Sequence, residues 1–329
     1  MPPTWSAGTG PVALPNAATV DEDASLMDAV LWEVDGPLDA AQVTFECNIG
    51  SGRTGEVFRG RLRGELVAIK QVLGSDIVHS TGSRRTELEK EFAILRQLAC
   101  LRHPHLVHFI GHVREPKLML VIEFCSGDSL FNLLHKSDHI EISWLQRCTM
   151  SSQVASAMAY LHGLNPCIMH RDLKSPNLLL AIPVYTQSDR PHVKVSDFGV
   201  SKFFESSENI SSSRMTQEVG TVQWMAPEMM TSNAYTEKVD LYSYGVILYE
   251  VICRVIPWDD SEVDEVFATV SNGGRLIFDD VLPHDCPSGL VALMQDCWAQ
   301  DPADRPAFAT VLERLKAVEI NGLLDRGRR

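Results

Sequence analysis

A chain of 329 residues, 45% of them apolar, can form one large domain of two lobes or two ordinary domains around a sizeable core. Its formal net charge of −14 argues against nucleic acid as a partner. No apolar run approaches the ~20 residues of a membrane span, and no basic stretch followed by an apolar one opens the chain. We therefore expect no transmembrane segment, no secretion and a cytoplasmic location. The eight cysteines are scattered without a C-x-x-C pair, which excludes the usual zinc and disulfide frameworks and fits a reducing compartment.

Residues 1–40 hold seven acids and no Lys or Arg. With the Pro/Gly/Ala/Thr run before Asp21, this composition predicts an acidic, disordered extension over 1–42. Leu26, Val30, Leu31 and Val34 form a short amphipathic pattern inside it. It reads as a helix packed on the main domain or frayed, with a docking or regulatory segment as the alternative. From Val43 the texture changes to strand-like runs at Val43–Ile49, Glu56–Arg61 and Glu65–Val72, then a charged helical stretch from Arg84 to Leu98. Two further strand-like runs follow, Leu106–Val113 and Leu118–Phe124. Beyond Asp128 the pattern is helical: Trp144–His162, Asp240–Cys253, Glu262–Asn272, Gly289–Ala299 and Phe308–Val318. Strands first and helices afterwards predict an α+β fold of two unequal lobes.

The chemistry is carried by a few short segments. Gly50-Ser51-Gly52-Arg53-Thr54-Gly55-Glu56-Val57 lies between two strand-like runs, and its glycines would let backbone amides approach phosphate oxygens. A dinucleotide-binding turn would need a helix next, whereas Val57-Phe58-Arg59-Gly60 reads as a strand. Val67-Ala68-Ile69-Lys70 ends an apolar strand on a lysine. Such a lysine commonly snorkels to solvent, but under a phosphate-covering loop its ammonium can hold the α- and β-phosphates. Glu87, Glu89 and Glu91 are the acids available to orient it. His170-Arg171-Asp172-Leu173-Lys174-Ser175-Pro176-Asn177 is far more specific. Asp172 can take the proton of an attacking hydroxyl, Lys174 can neutralise the moving phosphoryl group, and Asn177 can ligate Mg2+ through its amide oxygen. Asp197-Phe198-Gly199 adds a hard carboxylate ligand.

These segments, with Ala226-Pro227-Glu228, occur in the order expected of the eukaryotic protein kinases, and the chain resembles that family over about residues 43–319. The resemblance implies a small β-rich lobe (about 43–124), a larger helical lobe (about 125–319), a short tail over 320–329, and ATP in the cleft between the lobes. It implies transfer of the γ-phosphoryl group to protein hydroxyls in intracellular signalling. Lys174 points to serine/threonine rather than tyrosine. Gly220-Thr221-Val222-Gln223-Trp224-Met225, Asp240-Leu241-Tyr242-Ser243-Tyr244-Gly245 and Cys297-Trp298 with Arg305-Pro306 are similar to the tyrosine-kinase-like group, which includes Raf-like and mixed-lineage kinases.

By position, the resemblance places ATP against Ile49, Gly50, Ser51, Gly52 and Gly55. Val57, Ala68 and Leu179 sandwich the adenine, Ile122 closes the back, and the backbone of Glu123 to Cys125 meets the adenine edge. Lys70 with Glu91, Asp172 and Lys174 are the implied catalytic set, and Asn177 and Asp197 the implied Mg2+ ligands. Leu95, Phe109, His170 and Phe198 match an apolar stack between the lobes. Asp240 should anchor the catalytic loop, and Glu228 should pair with Arg305. Protein substrates are the implied partners, and an upstream kinase acting between Phe203 and Thr221 is a further one. The interval Glu91–His103 is about three residues longer than usual for the family, which leaves Glu87 open as the partner of Lys70. Asn177–Asp197 is about seven residues longer, and the excess within Ala181–His192 predicts a surface hairpin loop. A kinase-like binding protein without turnover and a dual-specificity enzyme are the competing functions.

Overall fold

The structure, a computed structural model, describes residues 38–52, 55–72, 100–113, 117–197, 222–231 and 235–326, with side chains to 318. The expected partners Glu87, Glu89 and Glu91, the stack residues Leu95 and Phe198, and the segment 203–221 lie outside the described residues, as do 1–37.

Five antiparallel strands form the first lobe, in the order β1 (Val43–Gly52), β2 (Gly55–Leu62), β3 (Glu65–Val72), β5 (Met119–Glu123), β4 (Phe109–Val113). β2 and β3 are joined by Arg63-Gly64, where φ is +52° and +93°. Positive φ at both central residues is the hairpin turn whose twist matches the flanking strands, and it explains the glycine. Along β3, Val67 and Ile69 are fully buried on one face, while Ala68 and Lys70 share the other. The register pairs Lys70 with Val57 and Leu120, and Ala68 with Ile122. Opposed residues in a ladder point to the same side, so Val57, Ala68, Lys70 and Ile122 line one face of the sheet.

The second lobe holds α1 (Leu130–His135), α2 (Trp144–His162), the short strands β6 (Leu178–Leu180) and β7 (Val193–Val195), α3 (Pro227–Thr231), α4 (Lys238–Cys253), α5 (Val263–Ser271), α6 (Ser288–Cys297) and α7 (Phe308–Arg326). α2 begins with a capping box. Ser143 Oγ accepts the Gln146 N–H at 3.3 Å and Gln146 Oε1 accepts the Ser143 N–H at 3.0 Å. α4 is buried on all sides from Val239 to Ile252, as expected of a helix apolar all round. It is the post against which the loops of the site are tied. Among the described residues no helix is long and apolar enough to cross a membrane.

Most expected elements are present, with β3 and α2 at the expected boundaries. The fold begins earlier than Val43: Leu38 is buried and donates its N–H to His112 O at 2.7 Å. α7 runs on to Arg326 through Asn321-Gly322. Ala181–His192 does connect the hairpin β6–β7, and Asp189 Oδ2 closes its tip by accepting the N–H groups of Tyr185 and Thr186 at 2.8 Å each. The loop is seated by Gln146, whose Nε2 donates to Thr186 O at 2.9 Å and Asp189 O at 2.8 Å.

Candidate active site

The site lies where the open face of the sheet meets β6, β7 and the loop 170–177. Ile49 sits at an irregularity of β1, between the pairs Asn48–Phe58 and Gly50–Val57. The Gly50 N–H turns back onto Asn48 Oδ1 at 3.0 Å, and the extra residue leaves Ile49 exposed. Gly50, Ser51 and Gly52 continue the strand to its pair with Gly55.

After β5 the chain crosses between the lobes. Ser126 and Gly127 donate their N–H groups to Ala181 O and Leu180 O at 3.1 and 2.9 Å. A Cβ on Gly127 would stand 2.4 Å from Ile182 O, so the crossing needs a glycine there. Phe124 and Cys125 bridge the step between β5 and these bonds. Burial and the Glu123 carboxylate push the Cys125 thiol up to about 12, which leaves it unreactive as a nucleophile. The Glu123 side chain points elsewhere: Lys194 Nζ of β7 holds its Oε1 at 2.9 Å, and its Oε2 accepts the His108 N–H at 3.1 Å.

The loop 170–177 hangs from α4. Asp240, fully buried, accepts the N–H of His170 and of Arg171 at 2.8 Å each, and His162 Nε2 meets it at 2.8 Å. Arg171 has φ +68° and Asp197 φ +58°, two non-glycine residues in the left-handed region beside the same site. Such strain persists only where surrounding bonds over-determine the backbone. Here they do: Asp240 fixes one segment, and Ser196 N–H and Oγ both bond Asn177 O at 2.9 Å in the other.

These constraints bring the sequence-expected polar residues into two contact groups. Lys70 Nζ, almost fully buried, lies 2.6 Å from Asp197 Oδ1. Asn177 Nδ2 donates to Asp172 O at 2.8 Å and to Asp172 Oδ2 at 3.0 Å, leaving Asn177 Oδ1 as its ligating end. Lys174 Nζ approaches Asp172 Oδ1 to 3.0 Å as an ion pair. Asp172 Oδ1 is buried beside that ammonium and makes no further hydrogen bond. An oxygen so placed can still accept a hydrogen bond from a hydroxyl. Leu179, on β6, pairs with Lys194 and bridges to Ser129.

Some site residues were not legible in the motifs. Glu250 is fully buried on α4 and accepts from Ser175 Oγ at 2.5 Å, from Trp224 Nε1 at 2.7 Å and from His135 Nε2 at 3.0 Å. One carboxylate thus joins the catalytic loop, the segment before α3 and the end of α1. A lone Glu inside the apolar run Val246–Ile252 was the available signal. Arg171 stands with its Nε buried and unpartnered and its guanidinium 6.0 Å from the Tyr235 ring.

The donor set fits a divalent cation held partly by phosphate. Asp197 and Asn177 offer hard oxygen ligands, as Mg2+ requires. Among the described residues no group of three or more His, Cys, Asp or Glu could hold a metal.

Residues 43–315 match the protein tyrosine and serine/threonine kinase family. Relatives include the probable serine/threonine-protein kinase drkD of Dictyostelium discoideum, 37% identical over 85% of this chain and 20% of that protein. Others are the serine/threonine-protein kinase CTR1 of Arabidopsis thaliana, 38% identical over 82% of this chain and 30% of that one, and the probable serine/threonine-protein kinase SIS8 of the same plant, 36% identical over 88% and 25%. The chain thus spans about a fifth to a third of the length of these relatives. With the sheet, the helical lobe and the two polar contact groups in place, the match over most of its length means that the chain belongs to the protein tyrosine and serine/threonine kinase family.

Proposed function

We propose that the chain transfers the γ-phosphoryl group of ATP to serine and threonine hydroxyls of protein substrates, as a member of the tyrosine-kinase-like group. The observation that carries this is the pair of contact groups Lys70–Asp197 and Asn177–Asp172–Lys174, which supply two cations, two hard oxygen ligands and a carboxylate oxygen that can still accept a hydrogen bond. The adenine lies between Val57 and Ala68 above and Leu179 below, with Ile49 over its outer edge, Ile122 behind, and the backbone of Glu123 to Cys125 against its polar edge. Amides from Gly50 to Gly55 cover the phosphates, and Lys70 neutralises the two that do not transfer. Asp197 and Asn177 Oδ1 would hold Mg2+, which would supply charge to offset that of the phosphates. Asp172 orients the attacking hydroxyl through Oδ1. The hydroxyl oxygen bonds to the γ-phosphorus, the bond to the bridging oxygen breaks, ADP leaves, and the hydroxyl proton passes to Asp172. Lys174 offsets the charge on the transferring group.

Asp197→Ala should abolish Mg2+-dependent phosphate transfer to a protein substrate. The variant should still fold but melt several degrees lower, because the Lys70 ammonium, 6% exposed, loses its partner at 2.6 Å. Near-normal turnover by the folded variant would remove the metal assignment, and phosphoamino-acid analysis of the wild-type product checks the hydroxyl class.

Regulation belongs to the same reading. Arg171 has an unfilled Nε beside the catalytic aspartate, and Ser206, Ser207, Ser211, Ser212, Ser213 and Thr216 lie in the polar segment that an upstream kinase would modify. A phosphate adds about −1.5 to −2 charge and three acceptor oxygens, enough to engage that guanidinium. Phosphatase treatment should lower kcat, and replacing Ser211, Ser212, Ser213 and Thr216 by Ala should do the same. Undiminished rates in both arms would remove this regulation.

A further inference from the structure

Four histidines gather where residues 102–108, which lead into β4, lie against α2 and β7 of the helical lobe. His105 Nδ1 lies 3.0 Å from Val193 O, and His192 Nε2 lies 3.0 Å from Pro104 O, so this segment and the approach to β7 grip each other through their imidazoles. The two rings stand edge to face at 5.2 Å. His103 stacks on Tyr160 of α2 at 5.2 Å, with Nε2 3.2 Å from Ser156 Oγ. Its Nδ1 accepts the His105 N–H at 3.2 Å. Both ring nitrogens of His108 lie within 2.9 Å of one Arg102 guanidinium nitrogen.

An N–H donor can be met only by a ring nitrogen that carries no proton. His103 Nδ1 meets a backbone amide, so that ring is held neutral by its contact, and the Arg102 guanidinium against both ring nitrogens of His108 sets a positive charge against a proton there. Among the described residues, the charged and titratable groups facing the four rings are Arg102, Lys194, the Tyr160 phenol and the Glu123 carboxylate. The one carboxylate is already engaged by Lys194 at 2.9 Å. Among the described residues, a proton taken up here meets cations and no spare anion.

We propose that this cluster is an acid-sensitive latch between the lobes: protonation of His103 and His108 releases residues 102–108 from α2 and β7. The latch bears on the site because β7 ends two residues before Asp197. Its hold on that strand is the pair of bonds from Val107 N–H to Val195 O and from Val195 N–H to His105 O, each 2.9 Å. Burial, then Lys194, holds His103 down at about 4; burial, then Arg102, does the same to His108; burial, then His192, holds His105 at about 3. A released imidazole titrates near 6.5. The open form therefore takes up protons first. The latch is intact above about pH 6.5 and weakens as pH falls from there towards about 4. Each such histidine raises the opening constant about tenfold between pH 7.5 and 5.5.

The test is amide exchange of Val107 and Val195 in the full chain at pH 7.5 and 5.5, corrected for intrinsic rates. Wild type is compared with the double variant His103→Asn, His108→Asn. Asn at 103 keeps an acceptor for the amide two residues on and does not titrate. Protection in wild type should fall about a hundredfold more than in the variant, tenfold for each histidine removed. If the double variant is already unprotected at pH 7.5, the single variant His105→Asn, which keeps a donor for Val193 O, should show a fall about tenfold smaller than wild type. The same pH dependence in wild type and in the variant that retains protection would overturn the latch.

Discussion

Asp172→Asn is expected to lower kcat for phosphate transfer by about 10²–10⁴-fold while leaving the KM for ATP nearly unchanged. The substitution keeps the shape of the side chain and can keep an oxygen towards Asn177 Nδ2, which wild type holds at 3.0 Å. It removes the basic oxygen beside the Lys174 ammonium that, in the proposed mechanism, takes the proton of the substrate hydroxyl. In the proposed site the ATP contacts do not run through this residue: Lys70 is paired with Asp197, and the residues assigned to the adenine lie on β2, β3 and β6. A loss confined to KM would mean that Asp172 only positions nucleotide. An unchanged kcat would remove it from the chemistry. The same measurement separates an enzyme from a kinase-like binding protein, since only an enzyme has turnover to lose.

Motif order carried nearly everything that was legible about this site. Lys70, Asp172, Lys174, Asn177 and Asp197 each belong to a short segment whose residue types are dictated by phosphate and metal chemistry, and their identities alone suggest one cleft. What the motifs do not carry is what holds the cleft in place. Asp240 and Glu250 are both on α4, but Glu250 finds Ser175, Trp224 and His135 at separations of 75, 26 and 115 residues. No local pattern encodes pairings of that range. Glu123 shows the same limit. Its place in the chain marks the crossing between lobes, while its carboxylate serves a different purpose, tied to Lys194.

Secondary structure follows the same division. Glu65–Val72 and Trp144–His162 were legible to the residue, because each is a long periodic segment with a clear start. α1 is six residues long and is set by its caps: Ser129 Oγ accepts the Asn132 N–H, and the Asp128 carboxylate bonds both the Ser129 N–H and Asn132 Nδ2. β6 and β7 are three residues each and exist because they pair with one another. α7 passes through Asn321-Gly322, a pair that reads locally as a stop.

Glu228→Ala should destabilise the fold by about 3–5 kcal/mol, the cost of leaving a buried charge without its partner. Arg305 is 1% exposed, and its fork is filled on every side. NH1 and NH2 reach the two oxygens of Glu228 at 2.5 and 2.9 Å, Nε donates to Ala299 O at 2.8 Å, and the guanidinium also bonds Lys238 O and Gln300 O and lies 5.3 Å from the Tyr242 ring. The Lys238 ammonium in turn donates to Arg305 O. Glu228 sits on α3, four residues after Trp224, so the pair fastens the end of the segment that Glu250 also holds. Arg305→Lys should also be costly, because a single ammonium cannot replace a planar fork with five donors. Urea denaturation of wild type and both variants measures the effect as a shift in midpoint at constant slope. A loss below about 1 kcal/mol in Glu228→Ala would place the pair among ordinary surface bridges. The double variant Glu228→Ala, Arg305→Met is the decisive comparison: with both charges gone, it should be more stable than Glu228→Ala alone, because the penalty lies in the unpaired guanidinium rather than in the missing bond.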